Sequence, residues 1–292
     1  MTAPILRIQH LSAVSDLEGG APILRRVNLE LAPGEALGLV GESGAGKSTI
    51  AKALLGVLPR TVRLTEGEIT FDGKNLRTLP PKALRQIFGD EIALIPQDPL
   101  TALNPGRRIE LQLTDGLRMR RKLPWREARA RALQLLAEVH INDPERVMRA
   151  YPHQLSGGMR QRVLIAAAFA LEPKMIVADE PTTALDVTVQ KQILRLIRGL
   201  QEAHGTAVIF VTHDLGVVAQ ICDRVTLLFS GAVIESGSTE EVLGTPKHPY
   251  TRALIAAGPR YDRPGAGLQP VPEAVIAQLR ADVAATDGRP GA

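Results

Sequence analysis

Alternating apolar and polar positions predict β-strands in the first forty residues. Residues 5–11 and 27–31 alternate between the two kinds of side chain, which is the pattern of a half-buried strand, and the pair Gly19-Gly20 between them predicts a turn. The pair Pro33-Gly34 predicts a second turn, which leads into the short apolar run 36–40. The N-terminal part of the chain is therefore predicted to be rich in β-structure.

Apolar strands and helical stretches alternate along the remainder of the chain. Strands are predicted at residues 68–71, 91–95, 175–178 and 207–211, and helical stretches at 50–57, 111–139, 162–171 and 187–204. Pro96 and Pro99 follow the strand at 91–95 and stop regular pairing there. Alternating strands and helices predict an α/β fold with a mostly parallel sheet, into which the charged helical stretch is inserted as a subdomain.

The segment between the strand at 36–40 and the helix at 50–57 is rich in glycine. Strand, glycine-rich loop and Gly-Lys-Ser opening a helix form the phosphate-binding P-loop pattern. Glycines let backbone N–H groups converge on phosphate oxygens, and the helix N-terminus adds partial positive charge. Lys47 can reach the β- and γ-phosphates, and the Ser48 hydroxyl can ligate Mg²⁺. The pattern predicts a nucleoside-triphosphate site rather than a glycine-rich turn with a surface lysine. Its candidate binding residues are Gly41, Ser43, Gly44, Gly46, Lys47, Ser48 and Thr49.

Two adjacent carboxylates follow the strand at 175–178. Beside a phosphate site, Asp179 can hold Mg²⁺ through water, and Glu180 can polarise an attacking water as a general base. Without the phosphate loop, the same pair would be interpreted as two solvated acids at the end of a strand. The pair therefore predicts hydrolytic chemistry only in combination with the loop.

Two further segments are candidates for phosphate contacts. Ser156, Gly157 and Gly158 form a turn at the start of a predicted helix, which can bind an anion but is weak evidence alone, because Ser and Gly are ordinary helix-start residues. His213 follows the strand at 207–211. A lone histidine is usually structural, but ligands of α/β folds bind at the carboxyl ends of strands, so a γ-phosphate contact is favoured.

Composition narrows the possible functions. The 292 residues carry 35 Lys and Arg against 31 Asp and Glu, and this formal net charge of +4 is too balanced to indicate nucleic acid by itself. The single cysteine, Cys222, excludes an internal disulfide and suits a reducing compartment. No apolar run approaches the roughly 20 residues that span a bilayer, and the N-terminus lacks a signal-peptide layout. We therefore expect a cytoplasmic protein whose membrane association comes through a partner.

A basic stretch between residues 107 and 131 surrounds Trp125. A nucleic-acid surface would interleave several aromatic residues for stacking, and this stretch contains one. A solvated helical face is the favoured interpretation. Contact with anionic headgroups beneath a membrane partner is the second.

In chain order, the motifs GESGAGKST, PQDP, LSGGMRQ, IVADE, ALD and THD resemble those of ABC-type ATPases, over roughly residues 5–237. The resemblance implies an ABC-type P-loop NTPase core with an N-terminal β-subdomain, formed by residues 1–97 and 160–237. It also implies an inserted helical subdomain at 98–159, which ends in the signature motif, and a C-terminal segment at 238–292. The implied ligands are ATP and Mg²⁺, with Mg²⁺ held by Ser48, Gln97 and Asp179.

The same resemblance implies a role for each motif residue. Gln97 senses Mg²⁺ and the transmembrane partner, Glu180 is the catalytic base, and His213 contacts the γ-phosphate. Ser156 and Gly158 contact the ATP that is bound to a second subunit, and Asp186 makes a contact across the dimer. The residue chemistry fits these roles independently, except for the cross-dimer contacts, which only the family supplies.

Longer segments are similar to the oligopeptide, dipeptide and nickel importer subfamily: QDPLTALNP from Gln97, YPHQ before the signature, DEPTTALD, and HPYTRAL from His248. Relatives in glutathione import and carbon–phosphorus lyase assembly share these motifs. The subfamily's usual cysteine-bearing C-terminal extension is missing, so no iron–sulfur cluster is assigned. The tail after Arg260 is rich in Gly, Pro and Ala and is predicted to be a partly ordered surface segment with one helix at 272–285.

These resemblances imply an ATPase subunit that energises uptake of peptides or a related solute at the cytoplasmic face of the cell membrane. The implied partners are a second ATP-binding subunit (a copy or a paralogue), two transmembrane permease subunits and a periplasmic or extracellular solute-binding protein, with no direct nucleic-acid contact. The alternative is a soluble ABC ATPase in enzyme assembly, as for carbon–phosphorus lyase, or in nucleic-acid or ribosome work. The sequence contains one set of ATPase motifs and no sustained heptad repeat, and this favours the transporter subunit over the soluble ATPase.

Adenine recognition departs from the family's pattern. ABC ATPases usually stack the base on an aromatic residue soon after the first strand, and Ser15 occupies that place here. No Phe, Tyr or Trp precedes Phe71. We therefore expect weak ATP binding and poor discrimination against GTP. His10 offers a flat face, but a histidine within a strand is more often simply packed.

Overall fold

The computed structural model describes residues 3–17, 19–183, 185–257 and 271–287. Its strands lie in the segments with alternating or continuous apolar positions. They are β1 (Leu6–Ser15), β2 (Ala21–Leu31), β3 (Ala36–Gly41), β4 (Val62–Phe71), β5 (Lys74–Asn75), β6 (Ile92–Ile95), β7 (Met175–Asp179), β8 (Ala207–Thr212), β9 (Arg224–Phe229) and β10 (Ala232–Ser238).

Helices occupy most of the remaining described chain. They are α1 (Lys47–Leu54), α2 (Pro81–Asp90), α3 (Pro99–Ala102), α4 (Ile109–Arg120), α5 (Trp125–Glu138), α6 (Pro144–Arg149), α7 (Gly157–Phe169), α8 (Val187–His204), α9 (Leu215–Ile221), α10 (Thr239–Gly244), α11 (Pro249–Ala257) and α12 (Glu273–Asp287). Among the described helices, none combines the length and the hydropathy that crossing a bilayer requires.

The predicted elements are present, and the differences concern the ends of some elements and the interruption of one helix. The helical stretch predicted at 111–139 is two helices, because Lys122 adopts a left-handed backbone with φ 55° and Pro124 lacks the N–H group that a continuous helix would need. The strand predicted at 68–71 begins earlier, at Val62, and pairs with β1 along its length. Gly67 makes this pairing possible, because a Cβ at its φ of 85° would lie 2.5 Å from the Gln9 carbonyl oxygen.

The chain divides into two compact units. The first unit comprises residues 1–5, 32–36 and 78–210. In it β7 lies between β8 and β6, and β6 runs parallel to β7. Because the two parallel strands are in register, their carboxyl ends lie side by side. Helices α4, α5 and α7 contact one another in the same unit. Their buried apolar side chains include Leu113, Leu117, Leu135, Leu136, Val163 and Ile165.

The second unit comprises residues 6–31, 37–77 and 211–292. Its antiparallel sheet has the strand order β2-β1-β4-β5. In the same unit β3 runs parallel to β9, and β10 is antiparallel to β9. Every residue of β3 is buried, which explains why this strand has a continuous apolar sequence rather than an alternating one.

One face of the C-terminal helix packs against the core of the second unit. The helix predicted at 272–285 is present as α12, and most of its described side chains are exposed, but its packed face was not predicted. Leu279 and Val283 are 4% and 6% exposed and share one hydrophobic cluster with Phe229 and Tyr250. Their spacing of four residues puts them on one face of the helix, and Val275 extends that face by one turn. The rest of the predicted surface segment, at 261–270 and 288–292, lies outside the described residues.

Replacing Leu279 tests whether α12 contributes to stability. Leu279→Ala should lower the free energy of unfolding by about 2–5 kcal/mol, because it removes a buried side chain and leaves a cavity. The neighbouring Arg280 is exposed, so Arg280→Ala should change the free energy by less than about 0.5 kcal/mol. Urea denaturation of the full chain measures both values. Equal stability of the two variants would show that α12 does not pack in solution.

Candidate nucleotide site

The glycine-rich loop occupies the turn between β3 and α1. It follows Gly41, the last residue of β3, and α1 begins at Lys47. A Cβ at Gly41 would lie 2.4 Å from the Leu228 carbonyl oxygen of β9, so only glycine allows the two strands to approach so closely. Gly44 and Gly46 have φ values of 81° and 99°, which a residue with a side chain rarely adopts. The glycines of this motif are therefore required by the shape of the loop itself.

Lys47 is the buried cation of the loop. Only 6% of the residue is exposed, and its Nζ donates hydrogen bonds to the carbonyl oxygens of Gly41 at 2.6 Å and Glu42 at 2.9 Å. A buried ammonium group needs such acceptors, because losing its hydration without them is costly. The predicted phosphate-binding side chains Ser43 and Ser48 are exposed, and Thr49 is half-buried. The loop thus holds a positive charge beside accessible hydroxyl groups.

The turn between β9 and β10 forms backbone hydrogen bonds with the phosphate loop and with β2. The Gly231 N–H donates to the Ala45 carbonyl oxygen at 3.0 Å, and the Gly231 carbonyl oxygen accepts from the Arg25 N–H at 2.9 Å. Gly231 has φ 82°, and a Cβ there would lie 2.2 Å from the Ile23 carbonyl oxygen. Sequence analysis did not identify this support. Its only signal is the Ser230-Gly231 pair, a turn sequence 186 residues beyond Ala45 of the loop.

His213, also in the second unit, lies in the turn between β8 and α9. Its side chain is exposed. The following residue, Asp214, caps α9 by accepting hydrogen bonds from the N–H groups of Gly216 at 2.7 Å and Val217 at 3.4 Å. The helix cap fixes the turn that presents His213.

In the first unit the structure brings Gln97 and Glu180 into contact. Ile95 at the end of β6 pairs with Ala178 of β7, and Gln97 and Glu180 each lie two residues beyond this pair. The Gln97 Nε2 donates to the Glu180 Oε2 at 3.1 Å. The parallel register of two neighbouring strands thus explains how residues 83 positions apart form one site.

Thr183 is a third member of this group that sequence analysis missed. Its Oγ1 donates to the same Glu180 Oε2 at 2.8 Å, and its N–H donates to the Glu180 carbonyl oxygen at 3.2 Å. Glu180 itself has φ 44°, a left-handed backbone that costs a non-glycine residue about 1–2 kcal/mol. The turn closed by Thr183 holds this conformation. The signal was the position of Thr183 in the DEPTTALD motif, three residues after the carboxylate.

Ser156 and Asp186 each begin a helix in the first unit. The Ser156 hydroxyl oxygen accepts from the Met159 N–H at 3.3 Å at the start of α7. The Asp186 carboxylate accepts from the N–H groups of Thr188 at 3.1 Å and Val189 at 2.9 Å at the start of α8. Gly158 lies where the two helices approach, because a Cβ there would be 3.3 Å from a Val189 methyl group. Asp186 therefore has a structural role besides the predicted cross-dimer contact.

Two family models match this chain. Residues 24–183 match the ABC transporter family, and residues 234–284 match the C-terminal region of oligopeptide and dipeptide transporters. The chain belongs to the ABC transporter family. It is an ATP-binding cassette with an α/β fold and ATP-hydrolysing activity, which confirms the predicted fold class, nucleotide and reaction.

Individual relatives agree with this assignment. The chain is 47% identical over 277 residues to the probable D,D-dipeptide transport ATP-binding protein DdpD of Escherichia coli, a match that covers 94% of this chain and 84% of the relative. It is 47% identical over 266 residues to the peptidoglycan transport ATP-binding protein YejF of Agrobacterium fabrum, covering 90% of this chain but only 48% of that relative. The chain thus spans about half the length of YejF.

Solved structures show the same fold. The dimeric post-hydrolysis state of the ATP-binding cassette MJ0796 bound to ADP and Pi is similar with a TM-score of 0.71 at 31% sequence identity. The similarity covers 80% of this chain and 98% of that one.

Base recognition can be tested at Ser15, which occupies the place where the family's adenine-stacking residue is expected. Ser15 is the last residue of β1, so Ser15→Tyr adds a ring there without disturbing a strand interior. One base–aromatic stack is worth about 1–3 kcal/mol, so the variant should bind ATP roughly 5- to 150-fold more tightly than the wild type. Wild-type ATP binding should be weak and poorly selective against GTP, and Ser15→Ala should leave it unchanged. Titration of both nucleotides measures these affinities. Tight, ATP-selective wild-type binding that the tyrosine does not alter would contradict the expectation.

Proposed function

We propose that this chain is the ATP-hydrolysing subunit of an importer for peptides or a related solute. The observation that carries the proposal is the presence of two matches on one chain, the ABC transporter family at residues 24–183 and the oligopeptide and dipeptide transporter C-terminal region at 234–284. Relatives named as dipeptide and oligopeptide transport ATP-binding proteins, at 44–47% identity, support it.

The proposed residues fit the binding of a magnesium nucleotide. Lys47 and the amides of the loop contact the phosphates, and Ser48, Gln97 and Asp179 offer the hydroxyl, amide and carboxylate oxygens that Mg²⁺ prefers. Because the Gln97 Nε2 donates to Glu180, the oxygen of the same amide is the atom that can ligate. Bound Mg²⁺ would neutralise charge on the β- and γ-phosphates.

Glu180 is proposed as the base that accepts a proton from the attacking water. The water oxygen bonds to the γ-phosphorus while the bond to the ADP oxygen breaks, and the proton passes to the Glu180 carboxylate. Gln97 and Thr183 both hold the Oε2 of this carboxylate, which fixes its orientation. His213 contacts the γ-phosphate in this proposal. Ser156, Gly158 and Asp186 act on the nucleotide of the second subunit.

The partners follow from the proposed transport role. They are a second ATP-binding subunit, two transmembrane permease subunits and a solute-binding protein outside the cytoplasm. The subunit would then lie at the cytoplasmic face of the membrane. Purification from native membranes tests this, because permeases should accompany the chain. Association with soluble nucleoprotein or with an enzyme complex would instead support a soluble ABC ATPase, which the similarity to peptide transport proteins disfavours.

The Glu180→Gln variant should trap an ATP-bound dimer. Its amide oxygen can still accept hydrogen bonds from Gln97 and Thr183, but the group cannot take a proton from water. Gel filtration with and without ATP, alone and with the cognate ATPase partner, measures assembly. The double variant Lys47→Ala, Glu180→Gln should stay monomeric because it loses a phosphate contact. A Glu180→Gln chain that remains monomeric with ATP in both settings would contradict the composite site.

Gln97 is proposed to couple the ATP site to the permease. Gln97→Ala should leave ATP binding nearly unchanged and lower the ratio of permease-stimulated to basal turnover. Thr183→Val is the matched control, because it removes the other donor to the same Glu180 oxygen. Losing one hydrogen bond should reduce basal turnover in both variants by roughly 2- to 10-fold. If Gln97→Ala keeps the wild-type ratio of permease-stimulated to basal turnover, the proposed coupling is contradicted. Gln97 would then only position Glu180.

A further inference from the structure

The structure pairs some basic residues of the stretch 107–131 with carboxylates and leaves others without such a partner. The closest pairs are Arg107 with Asp115 at 2.6 Å, Arg129 with Glu145 at 2.6 Å and with Glu110 at 2.8 Å, and Arg131 with Glu138 at 2.9 Å. Among the described residues, no carboxylate lies within ion-pair distance of Arg118, Arg121, Lys122 or Arg126. These four cations lie within residues 118–126, which we call the basic corner. A solvated, ion-paired helical face therefore accounts for the first group but not for the second.

The basic corner is a closed turn between α4 and α5. The Leu117 carbonyl oxygen accepts hydrogen bonds from the N–H groups of Arg121 at 3.1 Å and Leu123 at 3.4 Å. The Arg121 guanidinium donates to the carbonyl oxygen of Leu171, which follows α7, and so fixes the corner to a second part of the first unit. The backbone of the corner is thereby held in place, while its cationic side chains are exposed.

Two apolar side chains are exposed among these cations. Met119 is 77% exposed and Trp125 is 38% exposed. The Arg118 guanidinium lies over the Trp125 ring, with 5.6 Å between its central carbon and the ring centroid. This cation–π contact keeps a positive charge and the indole ring side by side at the surface. The corner thus combines uncompensated positive charge with exposed apolar area.

An anionic bilayer surface complements both properties. Its headgroups attract Lys and Arg, and its interfacial layer accepts apolar side chains and is the place where tryptophan is enriched. A surface for single-stranded nucleic acid would need several aromatic rings for base stacking, and here the one ring has Arg118 over it. The core of a protein interface is depleted of lysine and other charged groups, which disfavours a protein partner. Lipid is the occupant that the charge and the exposed side chains favour.

We propose that the basic corner is a docking site for a membrane surface that contains anionic phospholipids. The four unpaired cations contact the headgroups, and Met119 and Trp125 enter the interfacial layer. The first unit thus contacts lipid directly, in addition to any contact with a permease. This inference goes beyond the proposed transport role, because vesicle binding by the purified chain requires neither a permease nor a transported solute.

The intrinsic fluorescence of the full chain tests the docking site directly. Trp125 is the only tryptophan of the chain, so its emission reports on the basic corner alone. Vesicles of phosphatidylcholine and phosphatidylglycerol in roughly equal amounts carry the negative surface potential that attracts cations. We expect these vesicles to shift the emission to shorter wavelength, because the indole leaves water, and high salt to reverse the shift. Phosphatidylcholine alone should cause no shift. An unchanged spectrum with the anionic vesicles would overturn the proposal.

A pair of charge variants tests whether the corner itself binds. Each Lys or Arg near an anionic surface contributes roughly 5-fold to membrane partitioning, so Lys122→Gln, Arg126→Gln should bind about 25-fold more weakly in vesicle co-sedimentation. The matched control is Arg146→Gln, Arg149→Gln on α6, which removes the same charge from two exposed side chains, each 3.8 Å from a carboxylate. The control should bind as the wild type does. Equal losses in both variants would show attraction by net charge alone and would overturn the proposal.

Two further measurements separate lipid from other partners. Met119→Ser keeps the charge and should weaken vesicle binding by roughly 5-fold, if about 40 Å² of apolar area leaves water at this position. Short single-stranded DNA is the second probe. If the wild type binds DNA but not anionic vesicles, and Lys122→Gln, Arg126→Gln loses the DNA, the corner is a nucleic-acid surface and the proposal is wrong. Permeases that accompany such a chain from native membranes would still support the transport role, so the two proposals fail separately.

Discussion

A buried ammonium group must be surrounded by acceptors, and the second unit is arranged around this requirement at Lys47. The carbonyl groups of Gly41 and Glu42 supply the acceptors. They can do so because β3 ends at a glycine that tolerates the close approach of β9. The loop is thereby shaped by the protein's own contacts. A site that is already ordered loses little entropy when a ligand binds, so more of the contact energy contributes to affinity.

A different constraint shapes the site residues of the first unit. Glu180 adopts a backbone conformation that is unfavourable for a residue with a side chain, at the point where β7 ends. Such strain persists only where surrounding contacts over-determine it. The hydrogen bonds from Gln97 and Thr183 are two such contacts, one from the neighbouring strand end and one from the following turn. Both of these hydrogen-bond donors, an amide and a hydroxyl group, are neutral.

Local sequence patterns predicted those parts of the structure that are determined by interactions between residues close together in the sequence. The helix at 187–204 has the predicted ends, because an aspartate caps its start and Gly205 adopts the left-handed conformation at its end. The glycine-rich loop was predictable because its pattern combines a strand, a turn and a helix. The break in the helical stretch at Lys122 was less evident, although Pro124 was a signal for it.

Contacts between distant segments could not be predicted in the same way. Gly231 supports a loop that precedes it by 186 residues, and no spacing rule relates the two positions. The packing of α12 was missed because the Gly- and Pro-rich composition around it outweighed its apolar face at Leu279 and Val283. Thr183 is different, because its contact with Glu180 is local; it was passed over because threonine in a motif has no chemistry as distinctive as that of a carboxylate. For Gly231 and for α12, the sequence shows the residues themselves but does not show the distant segment that they contact.

The hydrogen bond between Gly231 and Ala45 also has a consequence for biosynthesis. The second unit is assembled from three separate stretches of chain, and its phosphate loop is made early while the turn that supports it is made late. A ribosome adds about 5–20 residues per second, so roughly 10–40 seconds pass between the two. During that interval the loop and the buried face of β3 lack their final neighbours. The nascent chain must therefore extend as far as Gly231 before its phosphate loop can acquire this supporting hydrogen bond.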